Sequence, residues 1–294
     1  MPNPPSKVYK GVKSLPAQPP TTLTGSGGEC RSQDGIVQHF SDNGGSVVTD
    51  PRVVLIFWGS AWSSSTVSPS MGQAKQAIES ILSAGYMSRL AQYRRIRRAK
   101  LLATHLHPEN PPNPFTDDQL VGMITGLISS GAVPSSGNDI IYFGLTPEGV
   151  RSKDHLDDVG FHDYNGSFLF GWIGNDGTLT SLNSTPKVFS HELAEACSDP
   201  IPGDGIVVED SCGNNAEISD VCNSTIQVIN GVAICSYWSE RDKSCVLPTH
   251  YSVRWFFGAA QKNPAKGMRA ALAIPILAPL KLTDLLYAIL HFSS

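Results

Sequence analysis

Arg52-Val53-Val54-Leu55-Ile56-Phe57-Trp58 follows Pro51 and stops at Gly59. This continuous apolar run of strand length predicts a buried β-strand. Asp139-Ile140-Ile141-Tyr142-Phe143 and Ser167-Phe168-Leu169-Phe170-Gly171-Trp172-Ile173 read the same way, and Leu101–Thr104 is a shorter candidate. Between the runs the period changes. From Ser68 to about Tyr93, Ala74, Ala77, Ile78, Ile81, Leu82, Met87, Leu90 and Ala91 recur at helical spacing, with an interruption at Gly85. Thr116-x-x-Gln119 has the form of a capping box, and Leu120, Met123, Ile124, Leu127 and Ile128 line one face behind it. Gln227–Ile229 and Val232–Ile234 flank Asn230-Gly231, the strongest short hairpin signal. The expected architecture is a single α/β (α+β) domain over residues 37–250, with a mixed sheet, three main helices and a C-terminal β-hairpin.

Outside that domain the composition changes. Residues 1–36 are rich in Pro, Gly, Ser and Thr and predict a disordered arm. The 251–294 tail is apolar across 268–292, but Pro275, Pro279, Lys281 and Asp284 break it. A membrane-spanning helix needs ~20 apolar residues in a row. An amphipathic helix facing a membrane or a partner is one reading of this tail, and a read-through terminus is another.

The chain has 294 residues, 40% hydrophobic and 16% charged, with a net charge of −4. That balance gives no basis for nucleic-acid binding. The basic run Arg94-Arg95-Ile96-Arg97-Arg98-Ala99-Lys100 has no interleaved aromatics and reads as a solvated segment. Five of the six cysteines fall between Cys197 and Cys245, which suggests disulfides and an oxidising compartment. Asn165, Asn183 and Asn223 begin Asn-x-Ser/Thr sequons, which are compatible with secretion, whereas Met1–Lys7 lacks the apolar core of a signal peptide.

The chemistry concentrates in Thr185-Pro-Lys-Val-Phe-Ser-His191-Glu192-Leu-Ala-Glu195-Ala-Cys-Ser-Asp-Pro200. Thr185 suits an N-cap, Pro186 the first helical position, and Pro200 stops the helix. His191 and Glu195, four residues apart, share a face, and Glu192 lies one residue round. This is half of a zinc-hydrolase site: two ligands a turn apart, with a carboxylate beside the first as general base. Glu195 stands where the usual His-Glu-x-x-His signature has its second histidine. The bland alternative is a solvated face of i,i+4 polar pairs. A third ligand is expected from Glu217-Ile218-Ser219-Asp220-Val221-Cys222, with Asp220 the first choice and Glu217 the second. Cys222 is read as a disulfide partner rather than a ligand. His162, in Gly160-Phe161-His162-Asp163, is a candidate to orient a substrate carbonyl, stabilise an oxyanion or bind metal, and is given the oxyanion role in the hydrolase reading, with a strand-capping histidine as the alternative. His105 and His107 precede Pro108 and are expected on a loop.

These blocks also carry a resemblance. Asn43-Gly44-Gly45 before Val53–Gly59, Gly160-Phe161-His162, Gly171-Trp172-Ile173-Gly174-Asn175, Ser190-His191-Glu192-Leu193-Ala194-Glu195 with Asp199-Pro200, Glu217-Ile218-x-Asp220-x-Cys222, and Tyr237-Trp238-Ser239 up to Cys245 resemble, in order, segments of the Exordium or phosphate-induced protein family and its bacterial and fungal relatives. The similarity covers about residues 38–248. It implies a zincin-like domain and an extracellular or cell-wall location. Two functional expectations result. One is a zinc metallopeptidase acting on a peptide or protein, with His191, Glu195 and Asp220 (or Glu217) as ligands and Glu192 as base. The other is a non-catalytic secreted or wall-associated signalling protein with a structural or vestigial site. Zinc is the expected ion, with calcium or manganese as alternatives.

Overall fold

The computed structural model describes residues 37–248 apart from 65–66, 136, 176–180, 211–214, 223–225 and 230–231. The expected arm, the apolar tail, the Asn230-Gly231 turn, Cys30, Cys212 and the Asn223 sequon lie outside the described residues. In chain order the elements are β1 (Val37–Asp42), β2 (Arg52–Trp58), α1 (Met71–Ser83), β3 (Lys100–His107), α2 (Asp117–Ser129), β4 (Ile140–Leu145), β5 (Gly160–Tyr164), β6 (Leu169–Ile173) and α3 (Ser181–Ser198). After them come β7 (Ile206–Asp210), β8 (Asn215–Ala216), β9 (Ile226–Ile229), β10 (Val232–Cys235), β11 (Tyr237–Ser239) and β12 (Ser244–Val246).

The main sheet has the order β3-β2-β4-β6-β5. β3, β2, β4 and β6 are mutually parallel, and β5 pairs antiparallel to β6 at one edge. From β2 the chain passes through α1 to β3 on one side, then through α2 back across to β4 on the other. Crossovers of one hand in opposite directions place their helices on opposite faces. Packing shows them there. Val53, Leu55 and Phe57 of β2, with Ile141 and Phe143 of β4, pack with α1 and α3. Val54, Ile56 and Trp58, with Tyr142, Phe161 and Trp172, pack with α2. Burial on both faces is why the strands read as unbroken apolar runs. The expected α/β class, mixed sheet and hairpin are therefore present: β9 and β10 pair in the register Val232↔Ile229 through Cys235↔Ile226.

Several local expectations change. α3 begins at Ser181 and runs through Pro186, so Pro186 is not the first helical residue. Proline removes one N–H donor, and the helix continues across that single loss. Thr185 is no N-cap, because its Oγ1 is buried without a hydrogen-bond partner. His105 and His107 sit on β3, which extends through the segment expected to be a loop. Parallel pairing of His105 with Ile56 and His107 with Trp58 overrides the Pro108 signal. His162 lies inside an edge strand rather than at a strand end. Ile206–Asp210, in a stretch that reads as polar and Gly-rich, forms β7 and pairs with β1. The basic run is tied down locally: Arg94 pairs with Asp42, Arg97 with Asp50 at 3.1 Å, and Arg98 donates to the Ser83 carbonyl at 2.9 Å. No described helix is long and apolar enough to cross a membrane.

One ion pair fastens the α2 layer to the edge strand. His155 stacks on Phe161 of β5 at 4.0 Å, and its Nε2 lies 2.9 Å from Asp117 Oδ2 in the first turn of α2. Its Nδ1 is 3.7 Å from Asp158. Burial lowers the His155 pKa, but the hydrogen bonds to Asp117 and Asp158 outweigh it and raise it to about 9. A folded-state pKa above the unfolded one stabilises fully below about pH 6.5, and the contribution is lost as pH rises through about 9. The His155→Gln variant is expected to lose on the order of 1–3 kcal/mol relative to the parent at pH 6 and little at pH 10. Urea unfolding of both proteins at the two pH values measures it. A difference that does not shrink with pH contradicts the assignment.

Candidate metal centre

His191, Glu192 and Glu195 occupy the part of α3 clamped between the sheet, β10 and the 217–222 segment, and each is at most 1% exposed. Glu192 reaches β5 because Gly160 has no side chain. A Cβ at Gly160 would stand 2.4 Å from Val188 Cγ1 and 2.9 Å from Glu192 Oε1. Behind the helix, Tyr86 Oη donates to the Ser190 carbonyl at 2.8 Å, and the Cys235 N–H donates to Ser190 Oγ at 2.9 Å.

The first group is His191, Glu195 and Asp220. His191 Nε2 lies 3.0 Å from Glu195 Oε2 and 3.4 Å from Asp220 Oδ1, yet neither oxygen is in hydrogen-bonding alignment with it. Zinc–ligand bonds of about 2.0–2.1 Å at a tetrahedral angle place ligand atoms about 3.3 Å apart. The observed separations fit that spacing. Glu195 is aimed by backbone: its Oε1 accepts the N–H groups of Ser219 and Asp220 at 3.1 Å each, which leaves Oε2 for His191. The loop that aims it is held in turn. Trp238 N–H donates to the Ile218 carbonyl at 2.7 Å, and the Cys222–Cys245 disulfide clamps the turn that carries Asp220. On the far side of the imidazole, His191 Nδ1 is 3.6 Å from Cys235 Sγ. The side chain of Asp220 is 17% exposed, so the cluster reaches solvent there.

The second group lies against the first. His162 Nδ1 is 3.1 Å from Glu192 Oε2, and its Nε2 is 3.2 Å from both the Asp199 carbonyl and Glu217 Oε1. Ligand-type atoms of His162, Glu192 and Glu195 come within 4.8 Å of one another, as do those of His191, Glu195 and Asp220. A buried His/Glu/Glu group that could hold a metal ion is therefore part of the fold.

Of the residues expected from sequence, His191, Glu195 and Asp220 converge. Glu192 and His162 contact each other beside them. Glu217 stands with His162 and not with His191. His105 and His107 are on β3, the opposite edge of the sheet from His162. Cys222 is disulfide-bonded, whereas Cys197 and Cys235 are buried free thiols. Sequence reading did not find Cys235, the Ser219 and Asp220 amides, the Asp199 carbonyl or Gly160. Only Gly160, a glycine opening a strand, left a local signal.

The electrostatics of the cluster have one direction. Burial opposes protonation of His191, but Glu195, Asp220 and Cys235 outweigh it and hold its pKa well above the ordinary value. His162 is likewise raised, against burial, by Glu217 and Glu192. Burial also raises Glu195 strongly and lifts Glu217 to about 7. Glu192, Glu195, Glu217 and Asp220 find their ion-pair partners in the two imidazoles. His191 Nε2, Glu192 Oε1 and Glu217 Oε1 are buried without a hydrogen-bond partner. Buried carboxylates in excess of their cations call for positive charge, and the nitrogen and oxygen donors present are those of a divalent-ion site. Beyond the C-terminal end of α3, a cavity of about 320 Å³ is lined by uncharged residues, among them Val48, Asn138, Tyr164, Leu169 and Pro200.

Compared with family models, with curated proteins and with solved structures, the chain gives no match.

Gly160 is the contact on which the seating of Glu192 depends. Gly160→Ala is expected to destabilise by about 1–3 kcal/mol through overpacking against Val188 and Glu192. Gly122→Ala, where a Cβ meets nothing within 4 Å, should be neutral or stabilising. Thermal unfolding of the two variants tests this. Equal midpoints would show that α3 does not press on β5 as described.

Proposed function

We propose that the protein is a zinc-dependent hydrolase, most specifically a metallopeptidase acting on a peptide or protein substrate. One observation carries the reading. A helix and a distant loop bring His191, Glu195 and Asp220 together with unsatisfied His191 Nε2 at their centre, and the Glu192 carboxylate lies alongside. His191, Glu195 and Asp220 would hold the ion. One imidazole with carboxylates suits zinc or manganese, whereas calcium takes six to eight oxygens. When bound, the ion polarises the scissile carbonyl and makes a water acidic enough to act near neutral pH.

The chain's own residues supply the proton transfers. Glu192 Oε1, which has no hydrogen-bond partner, accepts the proton of the attacking water and passes it to the leaving amine. His162 holds the other oxygen of Glu192 at 3.1 Å and so fixes the carboxylate. Both His162 nitrogens are engaged, so its contribution to the developing oxyanion is the charge of the protonated ring rather than a free N–H. Substrate approaches at Asp220, the exposed side of the cluster.

The resemblance to Exordium-like proteins supports a zincin-like domain, and the Cys222–Cys245 disulfide supports an oxidising, extracellular or wall-associated setting. A second reading is favoured by the burial of His191, Glu192 and Glu195. Structural sites are closed, and catalytic ones keep an open position. In that reading the ion stabilises a non-catalytic signalling protein.

Elemental analysis of the purified protein is expected to find zinc, and His191→Ala to lose it. Glu192→Gln is expected to keep the metal while cleavage of a peptide library falls by about 10²–10⁴-fold. Protein without metal refutes the proposal. Metal with unchanged cleavage in Glu192→Gln removes Glu192 as base. Metal in a parent protein that cleaves nothing favours the structural reading.

A further inference from the structure

We propose that the protein holds a second divalent-cation position, formed by His162, Glu192 and Glu195, which shares Glu195 with the first and takes the general base as a ligand. The inference rests on the preceding reading of the His191 site and extends it.

Three observations point to it. First, the two imidazoles are mounted alike. A metal-binding histidine typically donates its outer ring N–H to a fixed acceptor and turns the other nitrogen inward. His162 Nε2 faces the Asp199 carbonyl and Glu217 Oε1, each at 3.2 Å, and Nδ1 faces Glu192 Oε2 at 3.1 Å. His191 Nδ1 faces Cys235 Sγ at 3.6 Å, and Nε2 faces Glu195 and Asp220. Second, each group of three places its ligand-type atoms within 4.8 Å of one another, and Glu195 belongs to both. A shared carboxylate is a natural bridge between ions about 3.5–4 Å apart. Third, Glu192 Oε1 is buried beside His162 without a hydrogen-bond partner, on a residue 1% exposed. Four carboxylates with neutral imidazoles carry four negative charges; one divalent ion leaves two, and a second cancels them.

Occupancy of the two positions has opposite consequences. With the first alone filled, Glu192 is free to accept a proton. With the second filled, Glu192 is a ligand and the base is lost. Because the second ion enters beside the first and shares a ligand, it binds about tenfold or more weakly. Excess divalent ion therefore switches the site off.

The test is a zinc titration of full-length, chelator-stripped protein, followed by a competing metal indicator and by elemental analysis after desalting. The parent is expected to show two equivalents in two affinity classes. His162→Gln should lose the weaker class and keep the tighter one, and His191→Ala should lose the tighter class. Circular dichroism confirms that each variant is folded, and the parent stoichiometry stands even where a variant is not. One equivalent in the parent, lost in His191→Ala, overturns the second position and leaves the hydrolase reading standing. One equivalent lost only in His162→Gln overturns both assignments, and no bound zinc ends both.

Discussion

Four carboxylates and two imidazoles are gathered around one helix face, most of them shut away from water, and the rest of the molecule is arranged to tolerate this. Desolvation of that much negative charge is far more expensive than any single contact the domain makes. In the protein as folded, the imidazoles offset part of it: the surrounding carboxylates hold His191 and His162 towards the protonated form against their burial, while burial itself does so for Glu195 and Glu217. A divalent ion meets the same demand with more charge in less space, which is why a metal centre is the most economical account of these side chains.

Scaffold and site are connected through a few contacts. The central parallel strands β2, β4 and β6, buried on both faces, form a rigid floor. Gly160 and Gly171 lie on the paired strands β5, at the sheet edge, and β6 beside it, and Gly160 lets α3 settle close enough for Glu192 to meet His162. From the other side, the 217–222 segment turns two backbone amides onto Glu195 and sends Asp220 to His191. The Cys222–Cys245 disulfide and the Trp238–Ile218 hydrogen bond hold that segment in place. A candidate metal site resting on two such anchors is more precise than one on a free loop.

The parts of the site that were legible in the sequence share a helix or a short repeat. The i,i+4 relation places His191 and Glu195 together before any tertiary contact is known. The Glu-Ile-x-Asp block was recognisable as a source of carboxylates, but its two acids are three residues apart in irregular chain. Their division between His191 and His162 is made by the turn at Asp220–Cys222. His162 was named from sequence as a candidate site residue, but its partner in space was not. Its position opposite Glu192 comes from the local β5–β6 hairpin packing under α3, whose Glu192 lies 30 residues further along the chain.

Apolar period and length alone determined the α/β class, the buried strands β2, β4 and β6, the capped helix α2 and the hairpin of β9 and β10, because those signals are local and repeat within a few residues. The same local rules misplaced the start of α3 and the state of His105 and His107, where pairing and packing outweigh a proline. Tertiary structure alone decided that two histidine–carboxylate groups share Glu195. That sharing depends on backbone amides, a strand edge and a disulfide meeting at one point, and no spacing along the chain encodes such a meeting.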